Sequence, residues 1–129
     1  MTVARALDLQ ARIYEVVSAA VAPLAVLDHA PTHPPEEFVR LDGFSIGDAS
    51  MKNGEIGRHS FEVHHFLRPV SGSPVPRGQS RTKAILAASH AALMAAEVLG
   101  TRVNFEYQDI SPDIDGATMH GKCRYTITL

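Results

Sequence analysis

The stretch Arg58-His59-Ser60-Phe61-Glu62-Val63-His64-His65-Phe66-Leu67-Arg68 decides the fold, because apolar and polar side chains alternate along most of it. A period of two is typical of a β-strand, whose successive side chains point to opposite faces of a sheet. One face would carry Phe61, Val63, His65 and Leu67, and the other Ser60, Glu62, His64, Phe66 and Arg68. We therefore predict a long strand from Arg58 to Arg68.

The residues before this strand predict its antiparallel partner. Residues 37–45 also carry apolar side chains at alternating positions, but the alternation slips near Gly43, which indicates a β-bulge. The dipeptide Asn53-Gly54 lies between the two segments, and Asn-Gly is a strong signal for a tight hairpin turn. We expect a long β-hairpin with Asn53-Gly54 at its tip.

Two helices flank this hairpin in the sequence. From Ala4 to Ala22, apolar residues recur at the three-and-four spacing of one helix face, and Pro23 ends the segment. The stripe consists of Leu9, Ile13, Val16, Val17 and Ala20. A second, alanine-rich helix is predicted from about Gln79 to Leu99, with Gly100 as its left-handed cap. Its buried stripe would be Ile85, Leu86, Ser89, Leu93 and Ala96.

The remaining segments complete an α+β fold. We predict a short edge strand at Leu24–Leu27, an exposed loop at Asp28–Pro35, and a connection at Pro69–Gly78. Two further strands follow, at residues 102–108 and Ala117–Leu129, joined by a turn at Ser111–Gly116. The expected architecture is one domain, residues 1–129, with a largely antiparallel sheet packed against two main α-helices.

Composition excludes several classes of protein. The 129 residues are 45% hydrophobic and 20% charged with a net charge of -2, which favours a globular chain without a basic field for nucleic acid. A single cysteine excludes a disulfide scaffold, and no apolar run has the ~20 residues of a membrane span. Charged residues in the first segment argue against a signal peptide.

The seven histidines are the first candidates for chemistry. His64 and His65 are adjacent on a strand and would point to opposite faces, whereas His59 and His65 share a face but lie about 20 Å apart. No pair therefore has the spacing of metal ligands, and we expect structural roles, no metal and no cofactor. One alternative stays open at this point, namely that His64 and His120 face each other across the sheet.

Other catalytic patterns are missing from the sequence. Cys123 falls on the inward side of the last strand, where a thiol is typically a small apolar group rather than a nucleophile. Asp109, Asp113 and Asp115 lack the closing Glu of a calcium loop and indicate a solvated turn. We therefore expect a protein that is not an enzyme, with a small histidine-dependent metal enzyme as the rival class.

Basic residues form two sets of interest. Arg77, Arg81 and Lys83 open the second helix, either as a solvated helix end or as a docking patch for an acidic partner. Arg40, Arg58 and Arg68 lie on the predicted hairpin. The arginines of both sets are predicted to contact a neighbouring subunit or to line a channel. They are Arg40, Arg58, Arg68, Arg77 and Arg81.

The order of these elements resembles a known family. The chain has an opening helix with Leu9-x-x-x-Ile13-Tyr14, a proline-rich stretch before Phe38-Val39-Arg40-Leu41, a strand with Ser60-Phe61-Glu62-Val63-His64, an alanine-rich helix before Leu99-Gly100, and a closing strand His120–Ile127. This pattern is similar to that of the small tail-completion or tail-terminator proteins of long-tailed bacteriophages, prophages and gene transfer agents. The resemblance covers Leu9 to Leu129.

The resemblance implies a structural protein of the virion tail or neck, assembled in the cytoplasm of the bacterial host. Such a subunit would form a hexameric ring that caps the head-proximal end of the tail tube, ends polymerisation and presents a surface for head–tail joining. Its implied partners are copies of itself, the major tail tube protein and the head–tail connector or neck protein. DNA would pass through the ring without specific contacts, and no membrane is involved. A neck adaptor of the same particle is the alternative.

Overall fold

Two helices and a five-stranded sheet form the fold, and the computed structural model describes residues 3–49, 56–68 and 79–129. The helices are α1 (Ala6–Val21), preceded by a 3-10 turn at Val3–Arg5, and α2 (Ser80–Ala95). The strands are β1 (Val26–Leu27), β2 (Glu37–Asp48), β3 (Gly57–Leu67), β4 (Glu97–Val98), β5 (Thr101–Arg102), β6 (Asn104–Pro112) and β7 (Met119–Thr128). The predicted α+β class is confirmed.

The main sheet has the order β1-β2-β3-β7-β6, and every pair in it is antiparallel except β1 with β2. The predicted hairpin partners pair over nearly their full length, from Glu37 opposite Leu67 to Asp48 opposite Gly57. The predicted bulge is also confirmed, since the register shifts between Asp42 and Ser45 and Gly43 has a φ of 64°. The Asn53-Gly54 turn and the 69–78 connection lie outside the described residues.

Both helices pack on one face of the sheet, which we call the helix face. Its strand residues include Val39, Leu41, Phe61, Val63, Cys123, Tyr125 and Ile127, all at most 1% exposed. The predicted stripe of α1 is buried at Leu9, Ile13 and Val17, because the three-and-four spacing places these side chains on one side of the helix. The other sheet face, which neither α1 nor α2 covers, is called the open face.

The second helix ends earlier than its composition predicts. It stops at Ala95, and Ala96 already has an extended backbone with φ -82° and ψ 145°. Residues Glu97–Val98 then pair with Thr101–Arg102, so Leu99 and Gly100, with φ of 50° and 82°, form a hairpin turn rather than a helix cap. The reason is tertiary, because this turn places Val98 in the core with no exposed surface.

Several strand boundaries also differ from the predicted ones; Arg102 belongs to β5, so β6 begins at Asn104, and β7 begins at Met119. Strand β2 continues beyond Ser45 to Asp48, because β3 pairs with it to the end. Strand β6 includes Ser111 and Pro112, which were expected in the turn, and they pair with His120 and Met119. The short strand β1 is confirmed, and it lies at the sheet edge beside Val39 and Arg40.

Candidate functional site

The predicted arginines do not converge on one patch. Arg81 belongs to the first turn of α2, and its guanidinium binds both carboxylate oxygens of Glu37 at 2.8 and 2.9 Å. Arg68 follows β3 and donates to the carbonyl oxygen of Pro34 at 2.7 Å. Two of the five are therefore held by other segments of the same chain, and Arg77 lies outside the described residues.

Arg40 and Arg58 lie on the hairpin strands. Arg40 forms a salt bridge of 3.2 Å with Asp42 and lies over the ring of Phe66 at 5.0 Å. Arg58 is exposed at the other end of the hairpin, and no carboxylate of the described residues lies within 4.0 Å of it. Arg58 is thus an exposed cation that is not engaged in an ion pair within the described chain.

His64 and His120, whose pairing the sequence leaves open, do meet on the open face. The Nδ1 of His64 and the Nε2 of His120 share a hydrogen bond of 2.7 Å, and Nε2 of His64 lies 3.1 Å from Glu62. Burial lowers the pKa of His64, although Glu62 opposes this effect, and burial together with the charge of His64 lowers the pKa of His120. This pair joins β3 to β7.

A network of charges continues across the open face from this pair. Arg124 of β7 donates to Glu62 at 3.3 Å and to Glu106 of β6 at 3.1 Å. Burial alone would raise the pKa of Glu62, but the hydrogen bond from His64 and nearby positive charges outweigh it and lower the pKa. The face is therefore charged yet largely neutralised by its own residues, which does not favour a strong field for nucleic acid.

A third polar cluster connects α2 to the end of the sheet. The buried ring of His65 contacts the hydroxyl of Thr82 at 3.1 Å and the carboxylate of Glu37 at 2.8 Å. The hydrogen bond from Arg81 lowers the pKa of Glu37, so this carboxylate stays charged at neutral pH. The Arg81 side chain is thus ion-paired within this cluster. It is not an unpaired charge at the start of α2 that would be free to bind an acidic partner.

A row of aromatic rings, which the sequence did not predict, crosses the helix face. Phe44, Phe61, Tyr125 and Phe105 lie on β2, β3, β7 and β6, with ring centroids 6.0, 5.4 and 5.7 Å apart in that order. We call this the aromatic row. The strand alternation and the bulge near Gly43 follow from the sequence, but the alignment of Phe61 and Tyr125 with Phe44 and Phe105 also depends on strand order and on a second bulge in β6.

The β2 side of the molecule also has an apolar groove. A groove of about 600 Å³ runs between α1 and β1, lined by Leu7, Tyr14, Val26, Leu27 and Leu41 among others. Leu7 and Tyr14 are exposed. Contiguous exposed apolar surface of this kind is typical of sites that bind another polypeptide.

The described chain offers little for catalysis or metal binding. Among residues 3–49, 56–68 and 79–129, no group of three or more His, Cys, Asp or Glu side chains is placed to hold a metal ion. Burial raises the pKa of the Cys123 thiol, which makes the reactive thiolate scarce. Asp115 accepts hydrogen bonds from Thr118 and the backbone of Ala117, as expected for a turn. Within the same ranges, no helix is long and apolar enough to cross a bilayer.

The fold and these surfaces define a class, an α+β protein whose exposed edges suit contacts with other polypeptides. A chain in the solved structure of the virion of a native gene transfer agent (GTA) particle has the same fold, with a TM-score of 0.72 at 23% identity over 92% of this chain and 91% of that one. No curated protein matches the sequence.

The family described as tail completion protein gp17 matches residues 8–129. The chain therefore belongs to this family, and its role is a structural one in a bacteriophage-type tail.

Proposed function

We propose that six copies of this chain form a ring that caps the head-proximal end of the tail tube. The ring ends tube polymerisation and presents the surface to which the head connector binds. Membership of the tail completion family supports the place of this chain in the particle. The observation that carries the ring is that, within residues 3–49, 56–68 and 79–129, the main sheet ends in two open edges on opposite sides.

Each of these edges is a strand whose outer side pairs with no other strand in the part of the chain that the structure describes, apart from the short β1. Strand β1 covers β2 only at Val39 and Arg40, and β6 is the last strand on the other side. In the described residues no strand pairs with the outer edge of 41–47 or with that of β6. Natural proteins rarely leave long edges open, because such edges bind further strands. Two different edges on one chain allow head-to-tail contacts, and these generate rings when the rotation closes.

The proposed partners are further copies of this chain, the major tail tube protein on one side of the ring, and the connector or neck protein on the other. DNA would cross the ring without specific contacts. Arg58 is our first candidate for a channel or intersubunit contact because it is exposed and free of an ion pair in the described chain. Arg40, Arg68 and Arg81 are weaker candidates, since each already has a partner; Arg77 stays a proposal from the sequence alone.

The ring is tested by size-exclusion chromatography with light scattering, on the purified chain alone and with assembled tube protein. We expect a mass near six subunits in at least one of these conditions. A strict monomer in both, at high concentration, would overturn the ring. Elemental analysis of the same sample addresses the rival enzyme class, because bound metal in stoichiometric amount would contradict a purely structural role.

The capping role is tested by deleting the gene and imaging the particles. We expect tails of irregular and excessive length, because nothing then stops the tube. Tails of normal length that fail to join heads would instead assign the chain to the neck as an adaptor.

A further inference from the structure

We propose that neighbouring copies join edge to edge, with β6 of one copy pairing with β2 of the next so that the aromatic row continues across the contact. This inference rests on the proposed ring and names the surfaces that form it. The occupant of each edge is a second copy of this chain.

The two inner rings of the aromatic row are buried, whereas the two rings at its ends are partly exposed. Its two inner members, Phe61 and Tyr125, have no exposed surface, whereas Phe44 and Phe105 at the ends are 37% and 44% exposed. Each edge therefore has an exposed aromatic ring on the helix face, so both edges present an apolar surface. A second copy covers both at once, since Phe105 of one subunit reaches the side on which the next subunit carries Phe44.

Each terminal ring lies beside a small cavity. The one next to Phe44 measures about 280 Å³ and is lined by Ala6, Leu9, Ile46 and His59. The one next to Phe105 measures about 200 Å³ and is lined by Ala87, His90 and Cys123. Each edge therefore presents a partly exposed ring that lines a recess, and recesses of this kind accommodate the aromatic residues of protein interfaces.

Strand direction is consistent with this contact. Three successive antiparallel pairings, β2 with β3, β3 with β7 and β7 with β6, make β2 and β6 antiparallel within one copy. Rotation about a ring axis that runs along the strands leaves their direction unchanged, so in such a ring the β2 of one copy arrives antiparallel to the β6 of its neighbour. Because β1 covers Val39 and Arg40, pairing is limited to the segment that contains Phe44.

One kind of partner fits both edges. Phe44 and Phe105 are the two ends of one row of rings on the same face of the sheet, at opposite edges. A tube or connector subunit would have to match these two edges separately, whereas a copy of this chain brings the Phe105 edge of one subunit to the Phe44 edge of the next.

The contact is tested by cross-linking with a short bismaleimide. Ser45 and Asn104 lie in one cross-strand row on the open face, at opposite edges, and both are exposed. The double variant Ser45→Cys/Asn104→Cys should give a ladder of covalent oligomers that ends at the size of the ring. Each single variant should give no ladder, and a mixture of the two single variants should give dimers only. Wild type controls for the buried Cys123, and Lys83→Cys/Ile114→Cys controls for random collision.

A second measurement uses the terminal rings themselves. Phe105→Ala and Phe44→Ala should each raise the concentration at which the ring dissociates by about tenfold or more. Ile114→Ala, which removes an exposed apolar side chain outside the row, should leave it unchanged. Circular dichroism verifies that each variant remains folded.

The outcomes separate this inference from the ring itself. A wild-type ring whose double-cysteine variant gives no ladder, or whose single variants give dimers, overturns the edge contact and leaves the ring standing. A wild-type chain that stays monomeric with and without tube protein overturns the ring and this contact together.

Discussion

Gly121 shows how closely one residue controls the packing of the molecule. It lies on β7 directly beneath α2, and a Cβ atom at this position would meet the methyl group of Thr82 and lie 2.8 Å from Cδ1 of Leu86. Glycine therefore allows the helix to approach the sheet. The alanine-rich composition of α2 suits the same approach, because small side chains keep the helix axis close to the strands.

We predict that Gly121→Ala lowers the free energy of unfolding by about 1–3 kcal/mol, because the added methyl group overpacks the contact between β7 and α2. Gly47→Ala is the matched control, since it also lies in a strand but its nearest neighbour is a carbonyl oxygen at 3.9 Å. Chemical denaturation measures both variants. Equal losses in the two would contradict the packing explanation.

At the scale of elements, Glu37 connects β2, β3 and α2. Its carboxylate accepts hydrogen bonds from Arg81 of α2 and contacts His65 of β3. The first turn of α2 has no acidic residue and no side-chain cap, so little in the helix itself fixes its start. The start of α2 therefore depends on this cluster, while Ile85, Leu86 and Leu93 hold the rest of the helix in the core.

We predict that Glu37→Gln destabilises the protein by about 1–2 kcal/mol, because it weakens charge-assisted hydrogen bonds to a buried histidine and an arginine. Glu15→Gln provides the control, since its pair with Arg12 is exposed and within one helix, where such pairs contribute less than about 0.5 kcal/mol. Thermal or urea unfolding measures both. A Glu37→Gln variant as stable as Glu15→Gln would show that the cluster does not hold α2.

At the scale of the whole molecule, the histidines determine how the fold responds to acid. Burial lowers the pKa of His59, His64, His65 and His120 below their ordinary value of 6.5. In the unfolded chain these histidines therefore bind protons near pH 6.5. In the folded chain they bind protons only at lower pH. Stability is then complete above this pH and decreases as the pH falls below it.

We predict that the free energy of unfolding decreases steadily from pH 6.5 to about pH 5, before the carboxylates contribute. Glu37 and Glu62 have a lowered pKa, so their contribution is present above their ordinary value of 4.5 and is lost only in stronger acid. His64→Gln should reduce the slope between these pH values. Urea unfolding at several pH values measures it, and a flat profile for wild type would contradict the assignment of neutral buried histidines.

Part of this architecture was predictable because it is local. The alternation in residues 58–68, the spacing from Leu9 to Val17 and the slip near Gly43 each depend on side chains within one segment, so strand, helix and bulge follow directly from the sequence. The end of α2 was not predictable in this way. Alanine favours continuing the helix to Leu99, but burial of Val98 in the core outweighs that preference.

The sequence by itself determined the α+β class, the faces of the long strands, the opposite directions of His64 and His65, and the resemblance to the tail completion family. Only the tertiary structure decided that His64 meets His120, that Glu37 holds His65 and Arg81, and that four aromatic rings form a row with exposed ends. The physical reason is the distance along the chain between the residues that interact. A pattern within one strand fixes which way its side chains point, whereas contacts between strands depend on sheet order and register, which are settled by packing of the whole chain.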